Sequence, residues 1–191
     1  MYYWDEDCLY LNVLKADEAT AKKKRVMVWM HVGAFESVGG VDPLFDCMNL
    51  VKEHPDVIVV TIAYRLGVMG FLHVSHLSEG KDYAASQNLW LVDEVKSLKC
   101  VHEHIAAFVG APDKVPIWGE SAGAASCTLV RLVPVSHEYF KRLIAESGSV
   151  NLTRSSEEGM ACSTDSKDTP LTSSGFLFSL TQRFRFRFRF Y

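Results

Sequence analysis

The residues with the clearest chemical potential are Gly119-Glu120-Ser121-Ala122-Gly123, a G-x-S-x-G run. A serine hydroxyl attacks a carbonyl carbon only when the chain presents it openly and fixed donors stabilise the oxyanion that forms. The flanking residues suit both needs. Residues 114–118 read as a short buried strand, and residues 124–132 as a helix that opens with small side chains. Strand, sharp turn and helix make a nucleophile elbow, which lifts the serine above the end of a sheet. The glycines leave room for the turn, and the helix start directs free N–H groups toward a developing negative charge. An ordinary Gly-rich turn is the competing reading, because G-x-S-x-G alone is a short pattern.

Such an elbow needs a sheet beneath it, and the hydrophobic pattern supplies one. Residues 7–14 alternate through Leu9, Leu11 and Val13, as a strand touching a core does. Residues 25–30 and 57–63 are continuous apolar runs, expected of strands covered on both faces. The first of these runs into His31-Val32-Gly33-Ala34-Phe35, which opens a loop. Residues 43–53 carry helical spacing in Leu44, Phe45, Met48 and Val51. From Asn88 a longer helix is predicted, with Leu89, Val92, Val95, Leu98, Val101 and Ile105 as its apolar face. Residues 142–146 read as a further strand that closes at Ser147-Gly148. Strands alternating with helices predict an α/β fold, a mostly parallel sheet wrapped on both faces.

Composition narrows the function classes. The chain has 191 residues, 48% of them hydrophobic, which suits one globular domain or part of a larger one. Twenty basic against 23 acidic residues make no electrostatic case for a nucleic-acid partner. No apolar run is long enough to span a bilayer, and residues 1–7 lack the basic start and apolar stretch of a signal peptide. The five cysteines lie scattered, with no C-x-x-C pair, so no metal site and no cofactor is implied.

Several further landmarks line up in order: Glu6-Asp7-Cys8-Leu9-Tyr10-Leu11-Asn12, residues 26–31, residues 64–72, Leu98-Lys99, residues 104–108, the elbow, and Ser147-Gly148. Together they resemble the type-B carboxylesterase family, which includes the cholinesterases and has the α/β-hydrolase fold. The resemblance runs from about Glu6 to about Ser163. It implies a serine carboxylic-ester hydrolase acting on small-molecule esters, with Ser121 as the acyl-accepting nucleophile. It also implies an oxyanion hole from the backbone N–H groups of Gly33, Ala34 and Ala122. Glu120 becomes a buried support beside the serine, and Gly119 and Gly123 its steric clearance. Cys8 matches a family cysteine whose disulfide partner lies upstream, which leaves Cys8 unpaired within these residues.

The sequence departs from the family pattern at several points. Val32 stands where the family favours glycine, and a β-branched residue disfavours positive φ, so strain is expected at the entry of the oxyanion loop. Trp90 replaces a small residue, Cys100 replaces tryptophan, and Val109 and Ala111 alter a Gly-Gly-Asp-Pro-like turn. The family's triad acid and histidine lie well downstream of the serine, whereas 70 residues follow Ser121 here. The one downstream histidine, His137, reads as a surface loop residue, and His31 as structural. The missing triad members predict that these residues alone form a poor catalyst. A non-catalytic adhesion or scaffold relative is the alternative, although such relatives typically lose the nucleophile that is kept here.

The chain divides into residues 1–163, a partial α/β-hydrolase domain, and residues 164–191, an unrelated low-complexity tail. The tail ends in alternating Arg and Phe from Arg183 to Phe190. That alternation suits a basic amphipathic strand for a membrane or RNA. It is read here as translated simple-repeat DNA, because a repeated pair of codons yields the same dipeptide run.

Overall fold

A computed structural model of the protein describes residues 7–17, 22–75, 80–148, 150 and 155. Among these residues five strands form one sheet: β1 (Leu11–Lys15), β2 (Arg25–Met30), β3 (Val57–Ile62), β4 (Pro116–Glu120) and β5 (Arg142–Glu146), in spatial order β1-β3-β2-β4-β5. β1 runs antiparallel to β3, and every other pairing is parallel. The predicted mostly parallel sheet is therefore present, with one antiparallel strand at its edge.

The period-2 alternation of each strand sorts its side chains into two layers. Val26, Val28 and Met30 of β2, Ile58, Val60 and Ile62 of β3, and Ile117 of β4 face the larger core. That core is closed by α3 (Leu89–His104) and α4 (Ala122–Val130), through Leu98, Val101, Cys127 and Val130. On the opposite face, Val57 and Val59 meet Val51 of α1 (Met48–Glu53), with Leu14 and Trp118 alongside. A short helix, α2 (Gly67–Phe71), packs on α3. Because β3 is covered on both sides, all six of its residues are buried, which accounts for its unbroken Val-Ile-Val-Val-Thr-Ile run. Full burial of each such side chain contributes roughly 1.5–3 kcal/mol.

Several elements differ from the sequence-based expectation. The first strand begins at Leu11, four residues later than predicted. The helix predicted over residues 43–53 splits into a 3-10 turn, Pro43–Phe45, and α1. Two aspartates explain the split: Asp42 accepts the Leu44 N–H at 2.9 Å and Asp46 accepts the Met48 N–H at 3.0 Å, so each starts its own turn. On α3 the buried face is Trp90, Asp93, Glu94, Ser97, Leu98, Cys100 and Val101, so the predicted stripe is buried in its second half, at Leu98, Val101 and the following Ile105, and not in its first. Leu89, Val92 and Val95 are only half-buried. Residues 164–191 lie outside the described residues, and so does the boundary at 163.

Candidate functional site

β2, β3 and β4 are parallel neighbours, so their C-terminal ends open on the same edge of the sheet, where α/β folds place their ligands. His31 follows β2, Tyr64 follows β3, and Ser121 follows β4.

Ser121 sits at φ 54° and ψ −118°, a backbone conformation that L-residues rarely adopt. Its surroundings hold it there. The Ser121 N–H donates to the Glu146 carbonyl on β5 at 2.9 Å, and its own carbonyl accepts the Ala125 N–H at 3.1 Å. Three glycines provide the necessary clearance. A Cβ on Gly123 would lie 2.1 Å from the Met30 carbonyl oxygen, one on Gly119 2.5 Å from the Gly123 carbonyl carbon, and one on Gly148 2.3 Å from the Ser121 carbonyl oxygen. Only glycine lets β4, α4 and the chain after β5 approach so closely. α4 therefore begins at Ala122, two residues before the predicted start, and the N–H groups of Ala122 and Gly123 fall in its first turn with no carbonyl four residues back.

The second group of candidate donors lies on the loop after β2. Gly33 has φ 112°, Ala34 55° and Phe35 62°. The Gly33 carbonyl accepts the N–H groups of Glu36 at 2.9 Å and Ser37 at 3.1 Å, which closes the loop into a tight turn. The Phe35 ring packs 4.9 Å from Trp90 and 5.4 Å from Phe71, and the Phe35 carbonyl accepts the Gly67 N–H at 2.7 Å. The strain expected at Val32 is displaced along the chain. Val32 is not among the residues with positive φ, whereas Ala34, Phe35 and Val38 are. Trp90, in a position where a small residue was expected, fills the space beneath Phe35.

The remaining candidates fall as follows. Glu120 is half-buried on β4, in register with Glu146, rather than buried. His31 is buried, and its Nδ1 donates to the Val32 carbonyl at 2.8 Å. Burial holds its basicity below the ordinary imidazole range. His137 is exposed beyond the far end of α4, with Nε2 2.7 Å from the Arg131 carbonyl. Nine residues of helix rise about 14 Å, which keeps His137 away from Ser121 at the near end. Cys8 is unpaired among the described residues. Burial pushes Cys127 and Cys100 up to about 12 and Cys47 to about 11, so these thiols are not thiolates at neutral pH.

Two charged features were not anticipated. Arg65 grips Asp93 in a fork, Nη2 to Oδ1 at 2.6 Å and Nε to Oδ2 at 2.7 Å, and adds its backbone N–H at 3.2 Å. Burial pushes the Asp93 carboxyl up, and the Arg65 guanidinium pulls it back. Beside it, Glu94 is fully buried with neither carboxyl oxygen in a hydrogen bond. The signal available in the sequence was Asp93-Glu94 interrupting an apolar helix, a pair that surface placement explained equally well.

A mostly parallel sheet with helices on both faces, as in the solved carboxylesterases it matches, defines the α/β-hydrolase fold. A sequence model of the carboxylesterase family matches residues 3–164, and the chain belongs to that family. It is 46% identical over 144 residues to the para-nitrobenzyl esterase of Bacillus subtilis (strain 168), covering 75% of this chain and 28% of that protein. It is 42% identical over 146 residues to a cholinesterase of Mus musculus, covering 76% and 23% respectively. Among solved structures, a carboxylesterase of Geobacillus stearothermophilus superposes with a TM-score of 0.79 at 44% identity, covering 85% of this chain and 34% of that one. The chain thus spans about a quarter to a third of the length of these relatives.

Proposed function

We propose that the chain carries the acyl-accepting part of a serine carboxylic-ester hydrolase. In this reading Ser121 Oγ attacks the ester carbonyl, and the N–H groups of Gly33, Ala34 and Ala122 receive the oxyanion. The proton from Ser121 goes to a histidine, oriented by an acid, supplied by polypeptide beyond the matched third of the family. Residues 1–163 form the family domain and residues 164–191 a tail unrelated to it. The observation that supports the reading most directly is the backbone of Ser121, held at φ 54° between close-packed glycines. Such strain persists only where the surroundings over-determine it, and it concentrates at functional sites.

An unassisted serine is a weak nucleophile at neutral pH. The 191-residue chain alone is therefore expected to turn over a short-chain aryl ester negligibly and to label poorly with a fluorophosphonate. Supplying the remaining two-thirds of a family member should restore both, and Ser121→Ala should abolish them. Labelling that persists in Ser121→Ala would overturn the assignment. Strong hydrolysis by the chain alone would reveal an internal base, with His31 the first residue to replace.

A further inference from the structure

We propose that Tyr64 is a positioning residue for the oxyanion loop, acting through its hydrogen bond to the His31 carbonyl. The inference rests on the reading of Gly33, Ala34 and Ala122 as oxyanion donors, but its geometry is independent of any catalysis. The Tyr64 hydroxyl donates to the His31 carbonyl oxygen at 2.9 Å, and both residues are buried. Their rings also stack, with centroids 4.2 Å apart and planes within 10°. The His31 ring is itself turned by its Nδ1 contact with the Val32 carbonyl. Tyr64 thus holds both the peptide plane and the ring of the last residue before the loop.

The held carbonyl lies at a junction. A Cβ on Gly123 would stand 3.0 Å from the His31 carbonyl oxygen, so the first turn of α4 packs against the atom that Tyr64 grips. Gly33 and Ala34 leave from one side of that junction, and Ala122 precedes Gly123 on the other. The distance between the two groups of N–H donors is therefore set where the Tyr64 hydroxyl acts. Oxyanion donors work only when aimed to within a few tenths of an ångström, so a small change at this point matters.

Two further observations support a dedicated role. The loop contains three non-glycine residues at positive φ, Ala34, Phe35 and Val38, and strained segments relax unless anchored. Phe35 is the distal anchor, through Trp90 and Phe71. Tyr64 is the proximal one. Second, the Tyr64 hydroxyl donates to the His31 carbonyl although Ser126 on α4 and Glu94 on α3 also lie near it.

Tyr64→Phe removes the hydrogen bond and keeps the stacked ring. Hydrogen exchange of the whole 191-residue chain, read by mass spectrometry, compares peptides over residues 31–38 with peptides over β2 and β3. The expected result is an increase of about tenfold in exchange over residues 33–38, the size of one buried hydrogen bond, with β2 and β3 unchanged. Incorporating 4-aminophenylalanine at position 64 restores an N–H donor and should restore protection. Unchanged loop exchange, an equal rise across the sheet, failure of Tyr64→Phe to fold, or no rescue by the amine would each overturn the proposal. Ser121→Ala should leave loop exchange as it is. Failure of the esterase reading would therefore show in fluorophosphonate labelling, and failure of the Tyr64 inference in the exchange pattern.

Discussion

Replacing Glu94 with glutamine probes the interior beneath the candidate site. Glu94 is fully buried on α3; burial raises its carboxyl well above the ordinary value of 4.5, the Ser126 hydroxyl opposes the rise, and the charge of Asp93 adds to it. The folded chain therefore holds the proton to higher pH than the unfolded chain, which releases it near pH 4.5. Above that pH the folded state binds more protons than the unfolded one, so stability falls as pH rises. The loss is at most about 1.4 kcal/mol per pH unit and ends once the folded carboxyl itself ionises. Glutamine has nearly the same shape and cannot ionise. Glu94→Gln should match the wild type below pH 4.5 and exceed it by a margin that grows as pH rises above 4.5, by at most about 1.4 kcal/mol per pH unit, the amide's own buried polarity reducing the gain. Asp93 and its Arg65 partner remain in both proteins, so their pH dependence largely cancels in the difference. Urea unfolding followed by tryptophan fluorescence from pH 4 to 8 measures the two curves. Parallel curves, or a variant less stable at pH 7, would refute the reasoning.

Three other outcomes are expected. Val109 holds φ 66° as an exposed β-branched residue, so Val109→Gly should stabilise the chain by about 1 kcal/mol in the same urea assay; a loss would show that its side chain contributes more than its backbone costs. Gly123→Ala forces a Cβ to 2.1 Å from a backbone oxygen and should cost roughly 3 kcal/mol or prevent folding, whereas Gly39→Ala, with nothing within 4 Å, should be neutral within about 0.5 kcal/mol. Truncation after Ser163 should leave the far-ultraviolet circular dichroism unchanged, because among the described residues the two hydrophobic clusters are complete within residues 11–143; loss of folding would assign residues 164–191 a structural role.

The elbow was legible in the sequence because Gly119 and Gly123 are residues that a tight approach requires, and the Met30 carbonyl lies in the space their side chains would fill. The central strands were legible for a similar reason, since β3 has no polar face to confuse the period. The face of α3 was legible only in its second half, at Leu98, Val101 and Ile105. Its predicted stripe counted Leu, Val and Ile, while the buried positions include Asp93, held by Arg65, and Ser97 and Glu94, whose side-chain oxygens have no hydrogen-bond partner. Pairing between residues 65 and 93 lies outside any local window. The loop after β2 differed for another reason. Val32 drew attention as the unusual residue, yet the left-handed turns fell on Ala34, Phe35 and Val38, where packing of the Phe35 ring overrides local preference. Local strain is fixed by tertiary contacts, and a residue's intrinsic preference does not say which neighbour will absorb it.

The bond from the Ser121 N–H to the Glu146 carbonyl has a consequence for the chain as it is made. β5 and Gly148 follow the serine by about 25 residues, and at cellular synthesis rates that interval lasts roughly 1–5 s. Until β5 arrives, the turn around Ser121 lacks the amide partner that helps hold its left-handed backbone, and α4 has no glycine at position 148 to close against. The nascent elbow can relax to an ordinary conformation during that time. The final shape of the serine turn thus depends on residues made after it, up to Glu146 and Gly148.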